Sequence, residues 1–210
     1  MHLIHRGIVN KNHKENLLKS FQQSFKKGYG IETDIHATKD EKFICFHDFT
    51  LKRIFKNKSS VKNLNYSDIQ KISKRKIPLL NDLLKASKNK YFLFIEIKPV
   101  FSKKLLKKLV RETSKYSKCV FISFKHKNIY DLLKINKKTK VGLSFHPPSS
   151  AKSIIKKSLN KDINCLVLDK SYLENKSIHK IKKDKYFYTI KTKSEFKKYK
   201  RENNLIFENL

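Results

Sequence analysis

The chain has no tryptophan, one methionine, four glycines, four prolines and three cysteines in 210 residues. Each scarcity excludes something. Cys45, Cys119 and Cys165 are odd in number, sit in apolar runs and show no Cys-x-x-Cys spacing. That pattern removes a disulfide framework and a zinc ribbon, and leaves reduced, buried thiols as the expectation. The first strand candidate leads into Gly7-Ile8-Val9-Asn10 with no Gly-x-Gly-x-x-Gly, so a dinucleotide-binding open sheet has no support. No apolar run approaches the roughly 20 residues that cross a bilayer. The opening Met1-His2-Leu3-Ile4-His5-Arg6-Gly7 lacks the basic-then-apolar layout of a secretory signal, and the expectation is a soluble, cytoplasmic protein.

Acidic residues are also scarce: 18 Asp and Glu stand against 50 Lys and Arg, a formal charge of +32. Such a charge suits polyanions, because each phosphate neutralised releases a counterion. Yet arginine, the residue that grips phosphates and base edges bidentately, supplies only five of the 50. Lysines recur along the helical segments, as at Lys103-Lys104, Lys107-Lys108, Lys156-Lys157 and Lys197-Lys198, and alanine occurs three times, the mark of an A/T-rich coding bias. The charge therefore reads as a solvated surface with no specific nucleic-acid partner and at most a weak association with anionic membranes. It leaves oligomeric state open.

With 39% apolar and 11% aromatic residues the chain can offset its ordering entropy, and one domain over residues 1–210 is expected. Short β-branched or aromatic runs alternate with amphipathic ones, the signature of βα units around a parallel sheet. Strands are predicted at residues 2–6, 31–37, 91–98, 119–124, 140–145, 165–169, 186–191 and 205–209. Helices are predicted near 16–27, 79–88, 102–117, 126–136, 150–159, 174–184 and 194–203. Eight strands at about 26 residues per unit predict a compact α/β fold, a (β/α)₈ TIM barrel near the lower size limit. A small insertion follows strand two, with a short strand at 43–47 and a helical turn at 67–72, and the last helix is expected to be missing or vestigial.

Strand alternation places Glu32 and Asp34 on one face of Ile31-Glu32-Thr33-Asp34-Ile35, and Glu96 and Lys98 on one face of Phe94-Ile95-Glu96-Ile97-Lys98. The apolar sets should face the helices, which turns the carboxylates into the barrel. Three inward carboxylates on adjacent strands repel unless a cation sits among them. An all-oxygen set favours one hard divalent ion, Mg²⁺ or Ca²⁺. A metal-free salt-bridge network of Glu96, Lys98, Glu32 and Arg6 is the bland alternative. With a divalent ion, Lys98 and Arg6, the cluster keeps one net positive charge, enough for one phosphodiester anion. His5 ends the first strand and His47 ends the inserted one. His36 shares the face of Glu32 and Asp34, and His146 ends strand five; both are read as outside the chemistry, His146 lining the mouth. His2, His13, His126 and His179 are read as ordinary surface or core residues.

In order and spacing, His5-Arg6-Gly7, Glu15-Asn16, Gly30-Ile31-Glu32-Thr33-Asp34, Thr38-Lys39-Asp40, Phe46-His47-Asp48, Leu51, Arg53 and Ile95-Glu96-Ile97-Lys98 resemble the glycerophosphodiester phosphodiesterase family. Weaker echoes follow in Ile122-Ser123-Phe124, Tyr188-Thr189-Ile190 and Ile206-Phe207-Glu208-Asn209. The resemblance implies a (β/α)₈ barrel in which Glu32, Asp34 and Glu96 hold a divalent metal, His5 and His47 form the acid/base pair, and Arg6 and Lys98 hold phosphate. The implied partner is a small glycerophosphodiester, cleaved to glycerol 3-phosphate and an alcohol. The chain departs from the family pattern at Lys14, Glu41 and Tyr188, where proline, glycine and tryptophan are usual, and around Asn209-Leu210, where a closing aspartate and proline are replaced. Asn16 is also read as a helix cap. The rival readings are a related phospholipid-cleaving barrel of the sphingomyelinase D type, a non-catalytic basic barrel that binds RNA or membrane, and an enzyme destabilised by its missing last helix.

Overall fold

Eight parallel strands close on themselves because each presents a second face that no single helix layer could cover. They are β1 (Leu3–His5), β2 (Gly30–Ala37), β4 (Leu93–Ile97), β5 (Cys119–Ser123), β6 (Val141–Phe145), β7 (Cys165–Asp169), β8 (Asp184–Ile190) and β9 (Asn204–Phe207). Each pairs in parallel with the next, and β9 returns to pair with β1, so the computed structural model is a closed (β/α)₈ barrel. It describes every residue except 12, 75, 148, 209 and 210. Among the described residues the one antiparallel strand, β3 (Phe43–Cys45), pairs with the overhanging end of β2 at Ile35–Ala37 and opens the insertion.

Alternation along the strands sorts the apolar residues into two cores. Ile31, Ile35, Ile95, Ile97, Leu143 and Leu166 face outward and pack on helices α1 (Leu18–Lys26), α4 (Leu80–Ser87), α5 (Lys103–Thr113), α6 (His126–Ile135) and α7 (Ala151–Ser158) through Phe21, Leu83, Leu106, Leu132 and Ile154. Burying each such side chain contributes roughly 1.5–3 kcal/mol. Inside the barrel, Leu3, Phe94, Val120, Ile122, Cys165, Val167, Tyr186 and Ile206 form a second cluster. It fills the lower part of the lumen. The insertion has its own cluster of Ile44, Phe46, Leu51, Val61, Ile69 and Ile77. All three cysteines are buried and free, and burial pushes the Cys119 and Cys165 thiols up to about 12.

All eight predicted barrel strands are present, with ends moved by one or two residues. The helices differ more. The segment predicted over 102–117 stops at Thr113. The one predicted over 174–184 shrinks to α8 (Lys176–His179), because Lys180, Lys182 and Lys183 leave Ile181 as the only apolar contact before β8 begins at Asp184. The insertion holds a four-residue helix α2 (Lys52–Phe55), too short for a periodic signal, and a two-turn helix α3 (Tyr66–Ser73) in place of one turn. Helix α9 (Lys193–Tyr199) precedes β9. Of the residues after β9 only Glu208 is described, and it is not helical; the departure noted at Asn209-Leu210 lies outside the described residues.

Glu41 adopts φ +57°, so the left-handed turn normally given to glycine is kept at a cost in backbone strain. Gly142 has a different reason to lack a side chain. A Cβ built there would sit 2.6 Å from the Cys165 sulfur inside the lumen. Gly142→Ala should therefore destabilise the barrel by about 1–3 kcal/mol through overpacking. Chemical denaturation should show part of that loss recovered in the Gly142→Ala/Cys165→Ala double variant; additive losses would exclude this contact as the cause.

Candidate active site

Strand register assembles the site. His5 lies opposite Glu32 on the β1–β2 pair, and Asp34 lies opposite Glu96 on the β2–β4 pair. The three carboxylates thus meet at the C-terminal end of the barrel, each offering an oxygen within 4.8 Å of the others, and all three are buried. After β1 the chain turns sharply through Arg6 (φ +55°) and Gly7 (φ +77°). A Cβ at Gly7 would lie 2.9 Å from the Ser20 backbone, so only glycine lets the turn close against α1. The turn aims the Arg6 side chain back over β2.

Two cations answer three anions. Lys98 Nζ lies 3.0 Å from Glu96 Oε1 and 3.4 Å from Asp34 Oδ1, and Arg6 Nε lies 3.3 Å from Asp34 Oδ2. Burial alone would raise the Asp34 carboxyl, but Arg6 and Lys98 outweigh it and hold it at about 2. Burial, reinforced by Asp34, pushes Glu96 up to about 7. Glu32 is left over: burial, then Asp34 and Glu96, drive it well above the usual carboxylate range, and its Oε2 is buried without a hydrogen-bond partner. The alternative of a metal-free salt-bridge network of Glu96, Lys98, Glu32 and Arg6 therefore forms only in part. An orphaned carboxylate oxygen beside two partly neutralised ones is the donor set that a hard divalent cation completes.

The two histidines come from different elements, His5 from the end of β1 and His47 from the insertion just after β3. His5 Nε2 is 3.8 Å from Glu32 Oε2, while its Nδ1 is 2.9 Å from Glu208 Oε2. His47 Nδ1 is 2.6 Å from Asp48 Oδ1, and burial pulls it below the usual histidine value against the opposing pull of Asp34. Asp48 is gripped by Arg53 at 2.7 and 3.0 Å, and Arg53 also binds Glu15, which binds Arg6 at 3.2 Å. This chain of ion pairs ties the insertion to the β1 turn.

All seven residues singled out from the sequence converge: His5, Arg6, Glu32, His47 and Lys98 line a cavity of about 440 Å³, with Asp34 and Glu96 buried beneath. The opposite wall and floor are Ile122, Phe124, Val167, Tyr188 and Ile206. His146 lines the mouth as expected, stacked on Phe124 at 3.9 Å. Tyr188, at the departure from tryptophan, keeps an aromatic wall and donates its hydroxyl proton to the Phe145 carbonyl at 2.8 Å. His36 is buried below the mouth, its Nε2–H donating to the His47 carbonyl at 3.1 Å, with burial lowering it to about 4.

The cap expected at Asn16 is not formed. Helix α1 starts at Leu18 behind Leu17, and Asn16 (φ +55°) instead donates to Asp34 Oδ2 at 3.0 Å and accepts from Thr33 Oγ1 at 2.8 Å. Only the Glu15-Asn16 pairing signalled it. Glu208, Asp48 and Glu15 were present in matching segments, but nothing local marked them as partners of His5, His47 and Arg6.

The sequence matches the glycerophosphoryl diester phosphodiesterase family profile over residues 5–206. A glycerophosphodiester phosphodiesterase of Caldanaerobacter subterraneus subsp. tengcongensis is 29% identical over 161 residues, 68% of this chain and 65% of that protein. The chain's match thus spans just under two thirds of that relative's length. Among solved structures, a Thermotoga maritima glycerophosphodiester phosphodiesterase shares 22% identity at a TM-score of 0.83, covering 98% of this chain and 92% of its own. An Oleispira antarctica phosphodiesterase, solved with its product sn-glycerol-3-phosphate, gives 19% and 0.84 over 99% and 92% of the two chains. At these identities the structural likeness is one of fold. The profile match spans nearly the whole barrel, and on it the chain belongs to the glycerophosphoryl diester phosphodiesterase family.

Proposed function

We propose that the barrel hydrolyses small glycerophosphodiesters to glycerol 3-phosphate and an alcohol. The observation that carries this reading is the buried trio of Glu32, Asp34 and Glu96 at a cavity lined by two imidazoles, Arg6 and Lys98. Glu32, Asp34 and Glu96 would hold one divalent ion, Mg²⁺ or Ca²⁺, which when bound supplies Lewis-acid polarisation of a phosphoryl oxygen.

The chain's own groups account for the rest. Arg6 and Lys98 stand beside the carboxylates and hold the phosphodiester's anionic oxygens, stabilising charge that grows as the phosphorus becomes five-coordinate. One imidazole takes the proton of the attacking oxygen as its bond to phosphorus forms. The other delivers a proton to the departing alcohol oxygen as its bond to phosphorus breaks, so water is consumed and both histidines return to their starting states through solvent. Ile122, Phe124 and Tyr188 offer aromatic and aliphatic surface to the carbon skeleton, while Lys125, Ser144 and His146 add further polar groups to the cavity lining.

Glycerol 3-phosphate release from glycerophosphocholine tests the reading, with activity expected to vanish on chelation and return with Mg²⁺ or Ca²⁺. His5→Ala and His47→Ala should each lower kcat by about 10²- to 10⁴-fold while still melting cooperatively as folded proteins; wild-type turnover in either removes the two-histidine scheme.

Stability should report the ion independently of turnover. In the metal-free chain Glu96 keeps its proton up to about 7 when folded but loses it near 4.5 when unfolded. The folded state then binds more protons between those values, so the carboxylate site loses stability as pH rises through that window. A bound cation removes the penalty. The rise in Tm on adding Mg²⁺ or Ca²⁺ should be larger at pH 8 than at pH 5, and equal rises would exclude these carboxylates as its ligands.

A further inference from the structure

Glu208 directly follows β9, and strand alternation puts it on the lumen side with Ile206 while Leu205 and Phe207 join the outer core. Because β9 pairs with β1 at Leu3↔Ile206 and Ile4↔Phe207, the next step of register sets Glu208 beside His5. Barrel closure thus joins two residues 203 positions apart in a hydrogen bond of 2.9 Å between His5 Nδ1 and Glu208 Oε2. The backbone holds Glu208 there, its N–H donating to the Ile190 carbonyl at 3.0 Å, and Lys191 Nζ lies 3.2 Å from its other carboxylate oxygen.

The contact decides which nitrogen of His5 carries the proton. An ionised carboxylate only accepts, so the Nδ1 facing Glu208 must donate. The bond to His5, reinforced by Lys191, holds the Glu208 carboxyl at about 2, so it is ionised throughout the neutral range. In the neutral ring the lone pair is then on Nε2, the atom turned toward Glu32 and the cavity. Rotating the ring, or moving the proton, would turn the N–H into the site and remove its proton acceptor.

We propose that Glu208 is a positioning residue, which locks His5 in the orientation and tautomer that present a bare Nε2 to the attacking oxygen as its proton acceptor. The inference rests on the reading of His5 as a proton-transfer group and goes beyond it by naming what makes His5 competent. It also separates the two histidines. The carboxylate behind His47 is shared with Arg53 through two hydrogen bonds, whereas among the described residues the one behind His5 meets, besides the ring, only the exposed Lys191, so Glu208 keeps more of its accepting capacity for the imidazole.

Glu208→Gln keeps the shape and removes the charge. It is expected to lower kcat for glycerophosphocholine by at least about tenfold, the lower end of what carboxylates that orient metal-bound histidines contribute, with KM within about twofold. Glu208→Asp should restore part of the rate. In a His5→Ala background the same Glu208→Gln change should cost less than twofold, since there is no ring left to position. Imidazole ¹⁵N NMR of the full chain, in wild type and Glu208→Gln, reads the tautomer without turnover: wild type should show a protonated Nδ1 at His5, and the variant a shift toward Nε2–H. Equal losses of rate with and without His5, an unchanged kcat, or a wild-type His5 protonated at Nε2 would each overturn the proposal. Wild-type turnover by His5→Ala alone would instead remove the reading on which it rests, and the NMR result still decides the Glu208 contact.

Discussion

Three carboxylates buried within 4.8 Å of one another are the constraint that the rest of the site answers. A buried, uncompensated charge costs several kcal/mol, and Arg6 and Lys98 compensate only part of the set. Asp34 takes both cations and stays strongly acidic, Glu96 shares Lys98, and Glu32 receives neither at close range. The asymmetry follows from register: Asp34 stands across from Glu96, and Glu32 stands one step lower, beside His5. The same offset leaves a buried Glu32 oxygen without a hydrogen-bond partner.

Barrel closure is the second organising fact. An open sheet of these strands would leave β1 and β9 as edges and would hold His5 far from Glu208. Closing it covers both edges, packs Leu3 against Ile206 in the luminal core, and brings Glu208 to His5 at the end of the first strand. Stability and site geometry therefore share contacts. The hairpin of β2 and β3 adds the other histidine from outside the ring, and its attachment through Arg53, Glu15 and Arg6 fixes its height over the lumen.

Period-two alternation made much of this legible in the amino-acid order. Eight strands, the inward carboxylates of Ile31-Glu32-Thr33-Asp34-Ile35 and the inward Glu96 and Lys98 all follow from local pattern plus the need to bury Ile and Leu against helices. What escaped was non-local or non-periodic. Asn16 looks like a cap, since asparagine before an amphipathic run usually is one, yet tertiary structure offered its amide a buried carboxylate and it left the helix end to Leu17. Helix α8 was overestimated because a lysine-rich run satisfies helical propensity without supplying a face to bury. The partnership of His5 with Glu208 could be read only after the register of β1 and β9 was known.

Arginine is rare in this chain, five residues against 45 lysines, yet two of the five stand at the site. Arg6 spans Asp34 and Glu15, and Arg53 spans Asp48 and Glu15. A planar fork can serve two acceptors at fixed angles; an ammonium is a point charge on a flexible stem. Where a lysine on the outer helices can be exchanged for arginine at no structural cost, the reverse exchange at Arg6 or Arg53 would undo a joint between separate loops. A drift of coding composition toward lysine thus meets a mechanical limit at these two positions.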